Sequence, residues 1–139
     1  LHNFPILSTV TSFNFATYNH NPLPNLTKVP NFLPSNIIDI EKLFYNATSF
    51  NQDISMWNVS NVTNMRYMFY NAFAFDQPLN NWNVSNVTNM EALFAKATSF
   101  NQDLSMWCVS NISTKPYEFD IDATNWTLPR PVWGTCPPP

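Results

Sequence analysis

Glycine is nearly absent: Gly134 is the single one in 139 residues. Corners that need a positive φ must therefore fall to other residues, and asparagine is the next best at that task. Charge is scarce too. Charged residues make up 11% of the chain, the formal net charge is −3, and there is no basic run. A nucleic-acid footprint needs clustered Lys and Arg, so nucleic acid is not an expected partner. No stretch of about 18 apolar residues occurs, so no membrane span is expected. Histidine is limited to His2 and His20, both in an irregular N-terminal stretch. No Cys/His ligand spacing exists, and no serine in the repeats has a histidine partner. Neither a metal, nor a cofactor, nor a catalytic residue is expected. The first residues form neither a charged nor an apolar leader region, and the chain reads as a mature or excised segment.

What is present is repetition. The text from Phe50 to Met65 returns from Phe75 to Met90 and again from Phe100 to Ile112. Trp57, Trp82 and Trp107 keep a 25-residue period, as do Phe44, Phe69 and Phe94. A period of this length marks stacked repeats. The apolar share of 45% is that of an ordinary globular chain, so disorder is not expected. Asparagine is abundant, with 21 residues, and is expected to turn the corners that glycine would otherwise serve.

The middle repeat carries apolar residues at Ile54, Trp57, Val59, Val62, Met65, Met68, Phe69, Ala72 and Phe75. The opening from Ile54 to Val62 has leucine-rich-repeat spacing. Trp57 and Val59 alternate around an outward Asn58, which predicts a short strand. Met65, Met68, Phe69 and Ala72 recur at three and four, which predicts a helix capped by Asn64 or Thr63. Pro78 stands where Asp53 and Asp103 stand and marks a turn. The expected fold is an α/β solenoid, a leucine-rich-repeat-like stack of 25-residue strand–helix coils. Stacking would set Trp57 on Trp82 on Trp107, and Phe50 on Phe75 on Phe100, with stability summed over neighbouring interfaces.

Residues 1–25 read as an irregular segment or degenerate cap, residues 26–107 as the solenoid and residues 108–139 as a C-terminal cap. Leu43-Phe44 matches Met68-Phe69 and Leu93-Phe94, so a divergent first repeat begins near Leu26. Beyond Ile112 the expected helical stripe is missing. The two cysteines, Cys108 and Cys136, follow the last full repeat. A disulfide between them would pin the cap and imply an oxidising compartment; two unrelated buried thiols are the alternative.

The repeat resembles the BspA-like leucine-rich-repeat family of surface proteins, also described as a mycoplasma-lipoprotein-type repeat. The matching text is Ala47 to Ser55, Trp57 to Met65, and Met68-Phe69. The segments from Trp107 to Ile112 and from Pro131 to Pro137 are similar to that family's C-terminal cap. The resemblance covers about residues 26–137 and departs from the pattern in its near absence of glycine. It implies a surface-exposed scaffold for adhesion or protein contact, without family-wide catalytic residues.

Candidate sites follow from the outward positions. Met56, Asn81 and Met106 form one row, Asn58, Asn83 and Cys108 a second, and Ser60, Ser85 and Ser110 a third. These are candidate sheet-face contacts for a protein or glycan on another surface; the bland alternative is a solvated face. Eight sequons, at Asn25, Asn46, Asn58, Asn61, Asn83, Asn86, Asn111 and Asn125, are candidate N-glycosylation sites. Most lie where turns demand Asn and Ser/Thr anyway. Asp53, Asp76 and Asp103 fit turn-capping better than a cation site. The expected function is a non-catalytic adhesion or recognition scaffold, extracellular or at the cell surface. The alternative is a structural subunit that binds copies of itself in a filament or sheath.

Overall fold

The computed structural model describes residues 24–138. Within them the 25-residue period is a physical stack. Four layers, 26–50, 51–75, 76–100 and 101–126, lie on one another, and residues 127–138 run along the last in the same direction, Pro129 beside Leu104 and Thr135 beside Val109.

The layers are built from turns, and the α/β solenoid of strand–helix coils is corrected here. Among the described residues there is no helix, and the sheet content is two isolated parallel bridges, Asp39 to Asn64 and Asn64 to Asn89. The leucine-rich-repeat reading of the opening falls with it.

The backbone donors explain why the helix is missing. In a helix each N–H bonds the carbonyl four residues back. Here the donors alternate. Met65, Tyr67, Phe69 and Asn71 donate to Asn89, Glu91, Leu93 and Ala95 of the next layer, at 2.9–3.0 Å. Met68, Tyr70 and Ala72 donate back three residues, to Met65, Tyr67 and Phe69. Positive φ recurs twice per layer, at Lys42, Tyr67, Ala92 and Glu118, and at Asn46, Asn71, Lys96 and Asp122. Each such residue breaks right-handed winding and starts a new turn. A succession of turns buries residues at spacings of three and one, which mimics a helical stripe.

The strand expected at Trp57 and Val59 is replaced for a related reason. The alternation holds, with Trp57 and Val59 buried and Asn58 exposed. Yet Trp57 N–H closes a turn on Ile54, and Val62 N–H one on Val59. Side chains make many of the rungs a backbone ladder would supply. The indole N–H groups of Trp57, Trp82, Trp107 and Trp126 donate to the carbonyls of Pro30, Ile54, Leu79 and Gln102 at 2.8–3.1 Å. The amides of Asn61, Asn86 and Asn111 donate to Ser35, Ser60 and Ser85 carbonyls of the layer before.

This corrects the expected role of asparagine. Among the described residues, Asn46 and Asn71 are the asparagines at positive-φ positions. Several others act through their side chains. Asn58, Asn64, Asn83 and Asn89 each accept the N–H two residues on, forming local turns that compete well with regular structure.

The core is a pair of phenylalanine columns. Phe44, Phe69 and Phe94 stack at 5.5 Å centroid spacing, and Phe50, Phe75 and Phe100 at 5.8–5.9 Å. Within each layer the two rings face each other at 4.1–4.3 Å. Each tryptophan leans on a phenylalanine of the layer before it: Trp57 on Phe44, Trp82 on Phe69 and Trp107 on Phe94.

The fourth layer ends the stack. Ala92, Phe94 and Lys96 donate to Tyr117, Phe119 and Ile121, so the turn pattern resumes one residue late after Ile112. Phe119 and Trp126 turn edge-on to Phe94 and close the column, and Trp133 packs edge-on against Phe119. Cys108 and Cys136 are joined in a disulfide. The tail lies along the fourth layer through Leu104 to Pro129, Val109 to Thr135 and Gly134 to Ile112 bonds. Gly134 is required there: its φ is +77°, and a Cβ would meet the Ser113 carbonyl oxygen at 3.3 Å.

Candidate functional site

The row read as a sheet face lies on turns. Met56 and Met106 are 85% and 60% exposed, and Asn81 is exposed between them. Each is the third residue of a turn closed by the following tryptophan. Phe32 in the first layer is also exposed, at 62%. The second row is broken, because Cys108 is held in the disulfide. In the third row, Ser60 and Ser85 donate hydroxyl hydrogens to Asn58 and Asn83 Oδ1 at 2.6 Å. These residues are brought to one side of the stack, but much of their hydrogen-bonding capacity serves the turns.

The sequon residues divide by environment. Asn61, Asn86 and Asn111 spend amide hydrogens on the rungs described above. Asn46 accepts from the Asn71 amide at 2.9 Å and is half-buried. Asn25, Asn58, Asn83 and Asn125 are exposed. The carboxylate row resolves into turn caps. Asp53 and Asp103 accept from Ser55 and Ser105, and these serine bonds lower both carboxyl pKa values despite slight desolvation. Asp76 instead accepts from Asn101 N–H and the Gln102 amide.

A cluster that sequence reasoning missed lies on the turn side of the stack. Arg66 bridges layers, with Nε 2.8 Å from Glu91 and Nη1 3.5 Å from Glu41. Its guanidinium sits 4.2 Å from the Tyr67 ring centroid. Tyr45 and Tyr70 stack at 5.0 Å, and Tyr67 stands edge-on to both. Lys42 lies 5.8 Å from the Tyr45 and Tyr67 rings, and Lys96 5.6 Å from Tyr70. Lys42, Tyr45, Arg66, Tyr67, Tyr70 and Glu118 line an open cleft of about 310 Å³. Burial raises the Tyr67 phenol pKa, and the Arg66 charge only partly offsets this. The phenol therefore stays protonated at neutral pH and can donate a hydrogen bond.

The signal was present as variation between repeats. Positions 41, 42 and 45 read Glu, Lys, Tyr; positions 66, 67 and 70 read Arg, Tyr, Tyr; positions 91, 92 and 95 read Glu, Ala, Ala. The inner residues of the three layers barely change.

Residues 10–128 match a family described as "Mycoplasma protein of unknown function, DUF285". The chain belongs to this family. No curated protein and no solved structure matches the chain.

Proposed function

We propose that this chain is a non-catalytic recognition scaffold, extracellular or at the cell surface, used in adhesion to a protein or glycan. The observation that carries this reading is the contrast between a repeated interior and one varied side. Between residues 40 and 100 the charged residues are Glu41, Lys42, Asp53, Arg66, Asp76, Glu91 and Lys96, and five of these seven belong to the tyrosine cluster. A stack that fixes its layers by ring columns and side-chain rungs is free to vary what it presents outward. The disulfide fits an oxidising compartment. The BspA-like resemblance of the repeat text points the same way.

The test is direct capture. The oxidised chain, labelled away from the cluster, is incubated with intact cells of its source and with extracted surface polysaccharide and protein. Saturable binding, competed by unlabelled chain, is the expected result. Absence of saturable binding to every fraction removes the proposal.

A second reading, a structural subunit of a filament or sheath, is favoured by the exposed apolar side chains of Met56 and Met106 on equivalent turns. Sparse charge would not oppose such self-association.

A further inference from the structure

The cleft beside the three tyrosines has a chemistry that narrows its ligand. Its surroundings hold three cations, Lys42, Arg66 and Lys96, and three carboxylates, Glu41, Glu91 and Glu118. Formal charge in the cluster therefore balances. An anion has no net field to draw it in, and Arg66 is already committed to two glutamates.

The lining also lacks what an apolar anchor needs. Every lining residue ends in a hydroxyl, an ammonium, a guanidinium or a carboxylate. The faces of Tyr67 and Tyr70 are approached by Arg66, Lys42 and Lys96. Phenol hydroxyls both donate and accept, ammonium and guanidinium groups donate, and carboxylates accept.

The cleft arises from two changes in the repeat. Tyr67 and Tyr70 of the second layer are followed, 25 residues on, by Ala92 and Ala95 in the third. Beside them the fourth layer brings Glu118 through the Ala92 to Tyr117 backbone bond. A step is left between a tyrosine wall and a glutamate wall. About 310 Å³ lies at the small end of ligand sites, and the cleft is open at its sides.

We infer that this cleft binds a neutral sugar unit within a glycan chain, its ring hydroxyls exchanging hydrogen bonds with Tyr67, Tyr70, Lys42 and Glu118. A sugar hydroxyl donates and accepts at once, so a charge-balanced set of interleaved donors and acceptors matches it. An open cleft lets the rest of the chain leave on either side. This assignment rests on the recognition reading above and specifies its ligand.

The experiment uses the full oxidised chain and two probe sets: neutral gluco-, manno- and galacto-tetrasaccharides, and a galacturonate tetramer with a sulfated tetramer. Binding is followed by calorimetry and by tyrosine ring resonances. At least one neutral tetramer should bind saturably and shift Tyr67 and Tyr70. Tyr67→Phe and Tyr70→Phe keep the rings and remove single hydroxyls. Each should weaken binding about five- to tenfold, the usual cost of one lost hydrogen bond, with the unfolding temperature unchanged. Met56→Ser, outside the cleft, should leave affinity as it was.

Preferential binding of the acidic tetramers overturns the neutral class. Binding that ignores Tyr67→Phe, Tyr70→Phe and Glu118→Gln overturns the site. If no tetramer binds while the chain still coats its native surface, the cleft assignment fails and the recognition reading stands. If the chain does neither, both fail.

Discussion

A single indole shows how this chain substitutes side chains for regular structure. Trp82 is 4% exposed, leans on Phe69, and donates 3.1 Å to the Ile54 carbonyl. Trp82→Ala removes both packing and rung and should cost about 3–5 kcal/mol in denaturant unfolding. Trp82→Phe keeps much of the packing but removes the indole rung, leaving the Ile54 carbonyl with the Trp57 N–H alone, and should cost about 0.5–1.5 kcal/mol beyond the volume change. Positive-φ positions give a converse case. Lys96 has φ 58° where the two preceding layers carry Asn46 and Asn71, and those asparagines bond each other at 2.9 Å. Lys96→Asn should therefore stabilise by about 0.5–1 kcal/mol, a part of the left-handed penalty borne by other side chains. Thermal unfolding of Trp82→Phe and Lys96→Asn reads both effects. The period, the buried set and the column of Phe50, Phe75 and Phe100 were legible in the sequence because burial repeats with identity. The expected stack of Trp57, Trp82 and Trp107 on one another is replaced by contacts with Phe44, Phe69 and Phe94. The role of asparagine was not, because composition reports residue type and not which amide hydrogen is used.

Elements fail or survive here by where their donors go. Met65, Met68, Phe69 and Ala72 fit a helical stripe, but half of the donors in this segment serve the neighbouring layer. Periodicity reports which residues are buried; it cannot report whether an N–H points along the chain or across it. The fourth layer was hidden by a one-residue shift: the positive-φ pair Ala92 and Lys96 recurs at Glu118 and Asp122, so Phe119 takes the place of Leu93 and Asp120 that of Phe94. The tyrosine cluster was hidden because it lies in differences between repeats, which a search for sameness passes over.

The closing layer makes its own predictions. Asp120 receives Lys115 at 2.7 Å and Arg130 at 2.9 Å, and Arg130 also lies 4.3 Å from the Trp126 ring. Burial pushes the Asp120 carboxyl up, but the two cations outweigh it and hold its pKa below the ordinary carboxylate value. A lowered folded pKa stabilises above the unfolded value of about 3.9, and that contribution is lost as pH falls through the lower folded value. Asp120→Asn should cost about 1–2 kcal/mol at neutral pH, the pairs being half-exposed on the cation side. Below about pH 4 the two proteins should converge, by chemical denaturation across an acid series. Replacing Cys108 and Cys136 together with serine should cost about 3–4 kcal/mol in the chain-entropy account. Hydrogen exchange should then rise first at Val109 and Gly134, whose N–H bonds fasten the tail to the fourth layer.

At the scale of the whole molecule, the stack has a closed end and a varied side. Edge-on Phe119 and Trp126, with Trp133 beyond, cover the ring columns at the C-terminal end. Further layers could not be added there without displacing them, which disfavours end-to-end growth through that face. The row of Met56, Asn81 and Met106 remains a surface through which lateral association would proceed. A recognition scaffold and a structural subunit thus differ in one property, whether copies of this chain associate. Sedimentation equilibrium of the oxidised chain over a wide concentration range measures that property directly. The account predicts a single monomer mass of 16.0 kDa at every concentration. A mass that climbs with concentration, and falls back when Met56 and Met106 are replaced by serine, would contradict it and make the chain a building block.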